Sequence, residues 1–319
     1  MDSVEHSHIS LDNILADIWT KILENLCSDM LIVLTCVSKM CNQYVVKFAK
    51  LNRIEWFLDC GNISAKGYLE ILQWAMTYFH TWNYNRDIIC NEAALYGHLK
   101  IIQWMTKSGH RLKENVCECA ASGGHIDVLK WVIQNDGKWG WFAPIAAAEG
   151  GHLDVLIWAK AQGLKWDGSG VCEGAATRGH FHILKWARSN GSPWNYTTCA
   201  GAARYGHFEI LKWAYENGCP LHDCVCSSAA EYGNLDVLIW LREHGCGLNT
   251  YVCSGAAKYG HFHILKWAKK HGCDWRSDTC REAARRGHIE ILKWARSNGC
   301  PWDEETEYIA KKKWPEFFN

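Results

Sequence analysis

The sequence predicts an all-α array of short, stacked helical repeats, and three periodic features of its 319 residues predict it. First, a Gly followed by His or Asn recurs at intervals of 27 residues, with one interval of 28. Second, apolar residues follow each of these pairs at helical spacing. Third, another Gly closes that stretch, so each unit is predicted as helix, tight turn, helix and short loop. Because one such unit cannot bury its own apolar face, the units must stack.

We call the His or Asn of each copy the marker residue. The markers are His98, His125, His152, His180, His207, Asn234, His261 and His288. A degenerate earlier copy lies at Gly67-Tyr68, which gives about nine repeats in all. The Gly before each marker suits the left-handed conformation that ends a helix. His or Asn is then expected to form a hydrogen bond at the start of the second helix.

Small residues precede each marker and predict close packing between first helices. An Ala-Ala pair stands five and four residues before it, as at Ala202-Ala203. Eight residues before it, all copies but one have Cys, and Pro144 fills that place in the exception. The Cys column therefore favours reduced thiols packed in a core, in keeping with a chain that shows no secretory signal. Cysteines seven apart, such as Cys219 and Cys226, are expected to approach each other across a loop.

Tryptophan is the most unusual component, with 19 residues in the chain. One column lies six residues after the markers, as at Trp213, and is expected to form inter-repeat core. A second column lies fourteen residues after the markers, as at Trp194, and alternates with Leu. This alternation indicates that the position requires a large apolar side chain rather than a particular ring. Residual exposure of this second column would add a binding strip, since Trp is favoured at interfaces.

Composition excludes several functional classes. The formal net charge is zero, which argues against broad binding of nucleic acid or of an anionic membrane. No apolar run is long enough to span a bilayer. The first ten residues carry no basic or apolar targeting pattern, so we expect a cytoplasmic or nuclear protein. Neither a phosphate-binding loop, a nucleophile motif nor a carboxylate pair stands out, so we predict no enzyme activity, no catalytic residue and no cofactor.

The repeat itself resembles a known family. Residues 202–221, AARYGHFEILKWAYENGCPL, resemble the ankyrin core of Ala-Ala, Gly-His and a paired aliphatic helix. The period is about 27 rather than the 33 typical of ankyrin repeats, and the missing residues fall where ankyrins carry a β-hairpin finger. Residues 294–302, WARSNGCPW, are similar to the short ankyrin repeats of large DNA viruses of amoebae, such as the pandoraviruses. The resemblance implies an ankyrin-type solenoid over residues 51–305, a capping helix over 306–319 and a protein as its ligand.

Residues 1–50 lack the repeat and form a separate predicted domain. The order from Asp17 to Cys41 resembles the F-box, although Leu15 stands where Pro is usual and Cys41 where Trp is usual. This resemblance implies docking on the Skp-type adaptor of a cullin–RING ubiquitin ligase, by apolar anchors in a groove. The predicted adaptor-binding residues are Ile14, Ile18, Ile22, Leu23, Leu26, Leu31, Leu34 and Val37. An amphipathic cap for the array needs the same apolar faces and remains the alternative.

Variation among the copies indicates where a target would bind. The position two before the marker lies late on the first helix, the side that faces the concave surface in ankyrin folds. It is rich in Tyr and Arg, the residues that most often anchor interfaces. The predicted target-binding residues are Tyr96, Arg178, Tyr205, Tyr232, Tyr259 and Arg286. The alternative is a solvated helix end with each Tyr packed over the turn.

Packing explains the marker histidines better than a metal site does. Adjacent markers on stacked helices should lie about 8–10 Å apart, whereas one zinc needs four ligands at about 2.0–2.3 Å. Asn234 also replaces His in one copy. Together, the F-box and ankyrin resemblances imply a substrate-recruiting ubiquitin-ligase adaptor, a host-directed one if the chain is viral. The alternative is a scaffold or decoy that sequesters a protein without ubiquitination.

Overall fold

The computed structural model describes residues 59–78, 85–165 and 168–315, and all regular structure in these ranges is helical. The prediction of an all-α fold is therefore confirmed. The chain divides into two compact units, Met1–Gly140 and Trp141–Asn319. The described helices of the first unit are α1 (Cys60–Ala65), α2 (Leu69–Tyr78), α3 (Arg86–Leu95), α4 (Leu99–Lys107), α5 (Glu114–Ser122) and α6 (Ile126–Gln134).

The described part of the second unit continues the same alternation. Its helices are α7 (Ala143–Gly150), α8 (Leu153–Ala161), α9 (Ser169–Arg178), α10 (Phe181–Ser189), α11 (Tyr196–Tyr205), α12 (Phe208–Glu216), α13 (Asp223–Glu231), α14 (Leu235–Glu243), α15 (Thr250–Tyr259), α16 (Phe262–Lys270), α17 (Ser277–Arg286), α18 (Ile289–Ser297) and α19 (Glu304–Lys313). Odd-numbered helices up to α17 are the first helices of repeats, and even-numbered helices are the second. None of the described helices is both long and apolar enough to cross a membrane.

Each first helix packs on the first helix of the adjacent repeat in its unit and on its own second helix. The predicted Ala pair forms this contact, since Ala202 and Ala203 are both fully buried. Ile210, Leu211 and Ala214 of the second helix complete the core of that repeat and are at most 4% exposed. Small side chains on one helix and aliphatic ones on the other let the helices approach closely.

The predicted tight turn ends the first helix. Gly206 has φ +74°, in the left-handed region. The N–H of His207 then donates to the carbonyl of Ala202 over 2.9 Å, a Schellman-type closure. A side chain at Gly260, where φ is +83°, would also meet the His288 ring, with Cε1 only 2.8 Å from a Cβ atom. Glycine is needed there both for its backbone conformation and for the space that the next repeat occupies.

The marker residue does not act as predicted. It occupies the N-cap position of the second helix, but its side chain makes no capping hydrogen bond, as seen at His207 and His261. Its Nε2 atom instead lies beside a carbonyl in the last turn of the preceding first helix. These contacts are His98 to Ala65 (2.8 Å), His125 to Leu95 (3.1 Å), His180 to Glu149 (3.0 Å), His207 to Thr177 (3.2 Å), His261 to Glu231 (3.0 Å) and His288 to Lys258 (3.1 Å). Because a carbonyl only accepts, Nε2 carries the proton and donates it.

Asn234 explains why the marker tolerates substitution. Its Nδ2 atom donates to the carbonyls of Ala203 and Arg204, both at 2.9 Å. The four last carbonyls of any helix lack partners within that helix. The marker therefore satisfies the end of one repeat from the next and ties the two together.

The cysteines pack as predicted, but their neighbours differ from the expectation. Burial raises the pKa of the Cys90 thiol to about 12, and no described cysteine is in a disulfide. A hydrogen bond with Cys219 raises the pKa of the Cys199 thiol, and the same bond lowers the pKa of Cys219. The residue predicted to approach Cys219 across a loop, Cys226, is instead paired with Cys246. The thiol partners are therefore twenty residues apart, within one repeat, rather than seven apart.

The tryptophans of the first column are only half-buried, so they do not form the fully buried core that was predicted for them. Trp213 packs edge-to-face on Phe181 and on Trp194 of the preceding repeat, with ring centroids 5.4 and 5.7 Å apart. Trp294 repeats this arrangement on Phe262 and Trp275, at 5.5 and 5.8 Å. In these repeats, tryptophans of both columns thus cover the side of the repeat interface, while Ile, Leu and Ala fill its centre.

The connections between repeats are short, and the last described helix closes the stack. Residues 190–195 join α10 to α11, and no described residue forms a strand, in agreement with the loss of the hairpin finger. Helix α19 packs on α17. Lys313 of α19 donates to the carbonyls of Ala284, at 3.0 Å, and Arg285. These are the positions on α17 that correspond to the two carbonyls bound by Asn234 on α11. The predicted domain boundaries at 50 and 305 stay predictions, and residues 1–50 lie outside the described residues.

Candidate functional site

Three tyrosines form a continuous row across consecutive first helices of the second unit. Tyr205 and Tyr259 are the last residues of α11 and α15, and Tyr232 caps the end of α13. The rings of Tyr205 and Tyr232 have centroids 5.1 Å apart, and those of Tyr232 and Tyr259 are 6.2 Å apart. Each residue is 43–46% exposed. The structure therefore brings together three of the predicted target-binding residues, and we call this feature the tyrosine row.

The repeat geometry accounts for the position of the row. Each Tyr directly precedes the Gly that ends its helix, where the chain turns away, as at Gly206 and Gly260. First helices pack side by side, so equivalent positions on them become neighbours. Each of the three residues keeps a little less than half of its surface exposed to solvent. The alternative, in which each Tyr packs separately over its own turn, does not describe these ring-to-ring contacts.

Cations lie against the row. The Arg204 guanidinium lies 5.6 Å from the Tyr232 ring centroid, and the Lys258 ammonium lies 5.0 Å from that of Tyr259. Such contacts hold a positive charge over an aromatic face. A hydrogen bond with Tyr205 raises the pKa of the Tyr232 hydroxyl, so this phenol stays neutral at physiological pH. The row thus combines hydroxyl groups, exposed ring area and positive charge.

The remaining predicted target-binding residues lie apart from the three rings. Arg178 and Arg286 are exposed at the ends of α9 and α17, in the repeats that flank the row on either side. Tyr96 belongs to the first unit, where it is 53% exposed at the end of α3. The equivalent position in the next repeat is Gly123, where a Cβ atom would collide with the Leu95 carbonyl oxygen. Tyrosine is therefore excluded there by the backbone.

Buried glycines on the first helices let the adjacent first helix approach closely, and the sequence reasoning missed them. A Cβ atom at Gly201 would collide with the Thr177 hydroxyl, and one at Gly255 would lie 2.9 Å from Cγ of Glu231. Both glycines stand six residues before the marker. The sequence feature that could have revealed them is the recurrence of Gly within a predicted helix, because such a Gly usually marks the close approach of another group.

The second helices carry another surface that sequence reasoning did not single out. Phe181, Phe208 and Phe262 each stand one residue after a marker, and a lysine four residues later covers each ring. The ammonium-to-centroid distances are 4.4 Å for Lys185, 4.1 Å for Lys212 and 3.9 Å for Lys266. Because the same rings are packed by Trp of the next repeat, these residues are already engaged in holding the repeats together.

The predicted adaptor-binding residues cannot be placed in this geometry. All of them lie outside the described residues: Ile14, Ile18, Ile22, Leu23, Leu26, Leu31, Leu34 and Val37. Over the ranges that the structure does describe, no group of three or more His, Cys, Asp and Glu side chains could hold a metal ion.

Comparisons with known proteins find similarity among solved structures. No family model matches the sequence, and no curated protein matches it. Among solved structures, the chain is similar to the ankyrin repeat domain of human ASB11, with 19% identity and a TM-score of 0.37. That match covers 50% of this chain and 84% of the ASB11 chain. The assignment of the fold rests on the helix pairs of this chain and on their periodic packing.

Proposed function

We propose that this chain is a non-enzymatic, protein-binding repeat protein that captures its target on the tyrosine row. The exposed, contiguous row of Tyr205, Tyr232 and Tyr259 is the observation that supports the proposal. Tyr supplies large contact area with few rotatable bonds, so little conformational entropy is lost on binding. The neighbours already hold the rings in place, which lowers that loss further.

Charge indicates the chemistry of the bound segment. From Thr177 to Arg286, the two positions that precede the markers' glycines contain five basic residues and one acid, Glu231. Arg178 and Arg286 are exposed at the two ends of this stretch. We therefore propose that the target presents an acidic segment with apolar or aromatic groups. Binding should weaken as salt rises, because exposed charges are screened beyond about 10 Å at 0.1 M salt.

Affinity capture tests this proposal. Proximity labelling with the full chain in its native cell would identify candidate targets, and purified chain would then be tested against each for direct binding. Replacing Tyr232 and Tyr259 by Ala should lower affinity by at least about tenfold, the loss expected for truncating interface anchors, while Tyr251→Ala should leave it unchanged. Tyr251 is the matched control, because it is 64% exposed on α15 but lies at the opposite end of that helix. Equal binding by both variants would contradict the assignment of the row.

We also propose that the captured target is delivered to a ubiquitin ligase of the Skp–cullin–F-box type. The sequence pattern from Asp17 to Cys41 supports this, with Leu23 and Leu26 among its apolar anchors. A pull-down with a Skp-type adaptor tests it, with Leu23→Asp as the variant expected to lose binding. Absence of adaptor binding by folded wild-type chain would exclude this role and leave target capture unaffected.

A scaffold or decoy that sequesters its target is the second candidate. The two differ in the fate of the target rather than in its capture. Deleting residues 1–50 should raise target levels if the chain is a ligase adaptor. If target levels and phenotype stay unchanged, the scaffold role is favoured.

A further inference from the structure

Two consecutive aromatic residues at the start of the second unit are largely exposed, and the tyrosine row does not include them. Trp141 is 70% exposed, more than any other large apolar side chain in the described ranges, and Phe142 is 65% exposed. Both residues belong to the unit Trp141–Asn319, which also contains the row. Adjoining exposed apolar side chains mark an interaction site more often than scattered ones do.

Helix formation does not account for the aromatic pair. In the second unit, the first helices α9, α11, α13, α15 and α17 begin eleven residues before their markers, whereas α7 begins nine before its own, at Ala143. The pair thus replaces the first two residues of the helix in the other repeats. Phe142 occupies the N-cap position of α7 and makes no capping hydrogen bond, whereas Asn195 and Asn249 cap α11 and α15. A phenyl ring has no oxygen to accept such a bond.

Glycines on the adjacent first helix leave the surface beside the pair without side chains. A Cβ atom at Gly170 of α9 would lie 2.3 Å from Cδ1 of Ile145, and one at Gly174 would lie 3.0 Å from Cγ of Glu149. Side chains of α7 therefore lie over the backbone of α9, and Ile145 stays partly exposed. We call the resulting surface the apolar shelf, and it consists of Trp141, Phe142 and Ile145.

The charge around the apolar shelf is opposite to the charge around the tyrosine row. Glu149 is exposed and is the only charged residue of α7. Glu173 of α9 is also exposed, and its carboxylate accepts a hydrogen bond from the Thr197 hydroxyl at 2.7 Å. By contrast, Arg204 and Lys258 lie against rings of the row. Complementary charge therefore favours a positively charged, apolar group on the shelf and an acidic segment on the row.

The apolar shelf and the tyrosine row lie on the same face of the first helices. From Tyr251 to Tyr259 in α15, the residues that reach solvent stand ten, seven, three and two before the marker, and the same positions reach solvent in α7. Phe142 and Ile145 occupy the first two of these positions, and Tyr259 occupies the last.

The repeat geometry gives the distance between the two surfaces. Phe142 lies eight residues closer to the helix start than the tyrosines of the row do, which is about 12 Å along a helix. Two helix-to-helix steps, from α7 to α11, add about 16–20 Å across the stack. The two surfaces are therefore about 20–23 Å apart, a span of about seven extended residues.

We propose that the apolar shelf binds a second part of the same target, an apolar and positively charged stretch about seven residues away from the acidic segment. The inference rests on the proposed function, in which the tyrosine row holds that acidic segment. Trp141 is the expected anchor, since Trp is enriched among the residues that contribute most to binding. Because the second contact forms within an existing complex, it raises affinity strongly. Acidic segments that lack the apolar part are then discriminated against.

Fluorescence anisotropy with labelled synthetic peptides tests the inference on the full chain. One peptide carries a block of glutamates with a tyrosine, and another carries a block of leucines with a lysine. Two more join these blocks by Gly-Ser linkers. A linker of about fifteen residues has an average span of about 21 Å, whereas one of about three residues reaches at most about 10 Å. The long-linker peptide should bind at least about tenfold tighter than the acidic peptide, and the short-linker peptide should not.

Variants assign that gain to the apolar shelf. The double variant Trp141→Ala with Phe142→Ala should lose the gain and bind the acidic peptide as wild type does. Glu149→Lys should reduce the gain, because it repels the lysine of the peptide. Tyr308→Ala should keep it and is the matched control, since Tyr308 is 67% exposed but lies on α19.

The outcomes separate the shelf from the row and from other occupants. No gain at either linker length, or a gain that the double variant keeps, would overturn the inference. If the acidic peptide does not bind at all, the row fails and the leucine–lysine peptide decides: binding that the double variant loses supports the shelf, and no binding overturns it. Analytical ultracentrifugation and sedimentation with phosphatidylserine vesicles complete the test. A dimer or vesicle binding that the double variant abolishes would overturn the inference, because a second copy or a membrane would then cover the shelf.

Discussion

His261 provides the sharpest test of how neighbouring repeats are joined. Its Nε2–H donates to the Glu231 carbonyl at 3.0 Å, and its ring lies over Gly233, where a Cβ atom would be 2.9 Å from Cε1. Because the side chain makes no capping bond to its own helix, His261→Ala removes only the bond between repeats and the ring contact. The variant therefore isolates the bond between the end of α13 and the start of α16 in the next repeat.

The size of the effect follows from two contributions. A hydrogen bond between neutral groups contributes about 0.5–1.5 kcal/mol net, and a carbonyl left without a partner adds a further cost when water cannot reach it. Since His261 is half-buried, we expect His261→Ala to destabilise the local structure by about 2 kcal/mol. His261→Asn should cost less than about 0.5 kcal/mol, since Asn234 makes equivalent bonds at 2.9 Å in the same position.

Native-state hydrogen exchange is the suitable assay, because repeat arrays often do not unfold in a two-state manner. A loss of about 2 kcal/mol corresponds to a roughly 30-fold fall in the protection of amides in α13 to α16. Amides in α9 and α10 should change much less. Unchanged protection in His261→Ala, or an equal loss in His261→Asn, would refute the inference that the marker side chain joins the repeats.

Three further predictions concern stability. Trp213→Ala should lower the free energy of local opening, measured by native-state hydrogen exchange, by about 2 kcal/mol. This is less than the range of about 3–5 kcal/mol for a fully buried aromatic, because Trp213 is half-buried, and a cost within that higher range would contradict the half-buried assignment. Lys313→Ala should speed hydrogen exchange in α17 and α19 by about tenfold, since it removes the bonds to the last carbonyls of α17; unchanged exchange would argue against this closure. Asp303 has its pKa lowered to about 2, chiefly by the Thr306 hydroxyl, so its stabilisation of α19 is complete above about pH 4 and is lost as pH falls through about 2. The stability difference between wild type and Asp303→Ala should therefore shrink over that range, and a constant difference would contradict it.

The repeat architecture could be read from the sequence because its signals are local and recur. The Gly before His207 and the Ala pair at 202 and 203 appear in nearly every copy, so each copy confirms the others. The positions of the helix ends, of the turns and of the Ala, Ile and Leu core could be predicted from these recurring residues. Positions on the first helices, such as that of Tyr232, could also be placed on one surface, because residues that are equivalent in successive repeats become neighbours when the repeats stack.

The partners of individual side chains could not be read in the same way. Whether His261 caps its own helix or reaches the preceding repeat depends on the distance between repeats, which the sequence does not state. The pairing of Cys199 with Cys219 depends on how the loop folds back to the start of its own first helix. The partial exposure of Trp213 depends on how far the second helices splay, and no local pattern encodes that.

Site-specific crosslinking tests the central claim, capture of a protein on the tyrosine row, most directly. A photo-reactive phenylalanine analogue would replace Tyr232 in one variant and Tyr251, the exposed residue outside the row, in another. After illumination with the target found by proximity labelling, the account predicts a covalent product from position 232 and little from position 251. Crosslinking from position 251 with none from position 232 would contradict it.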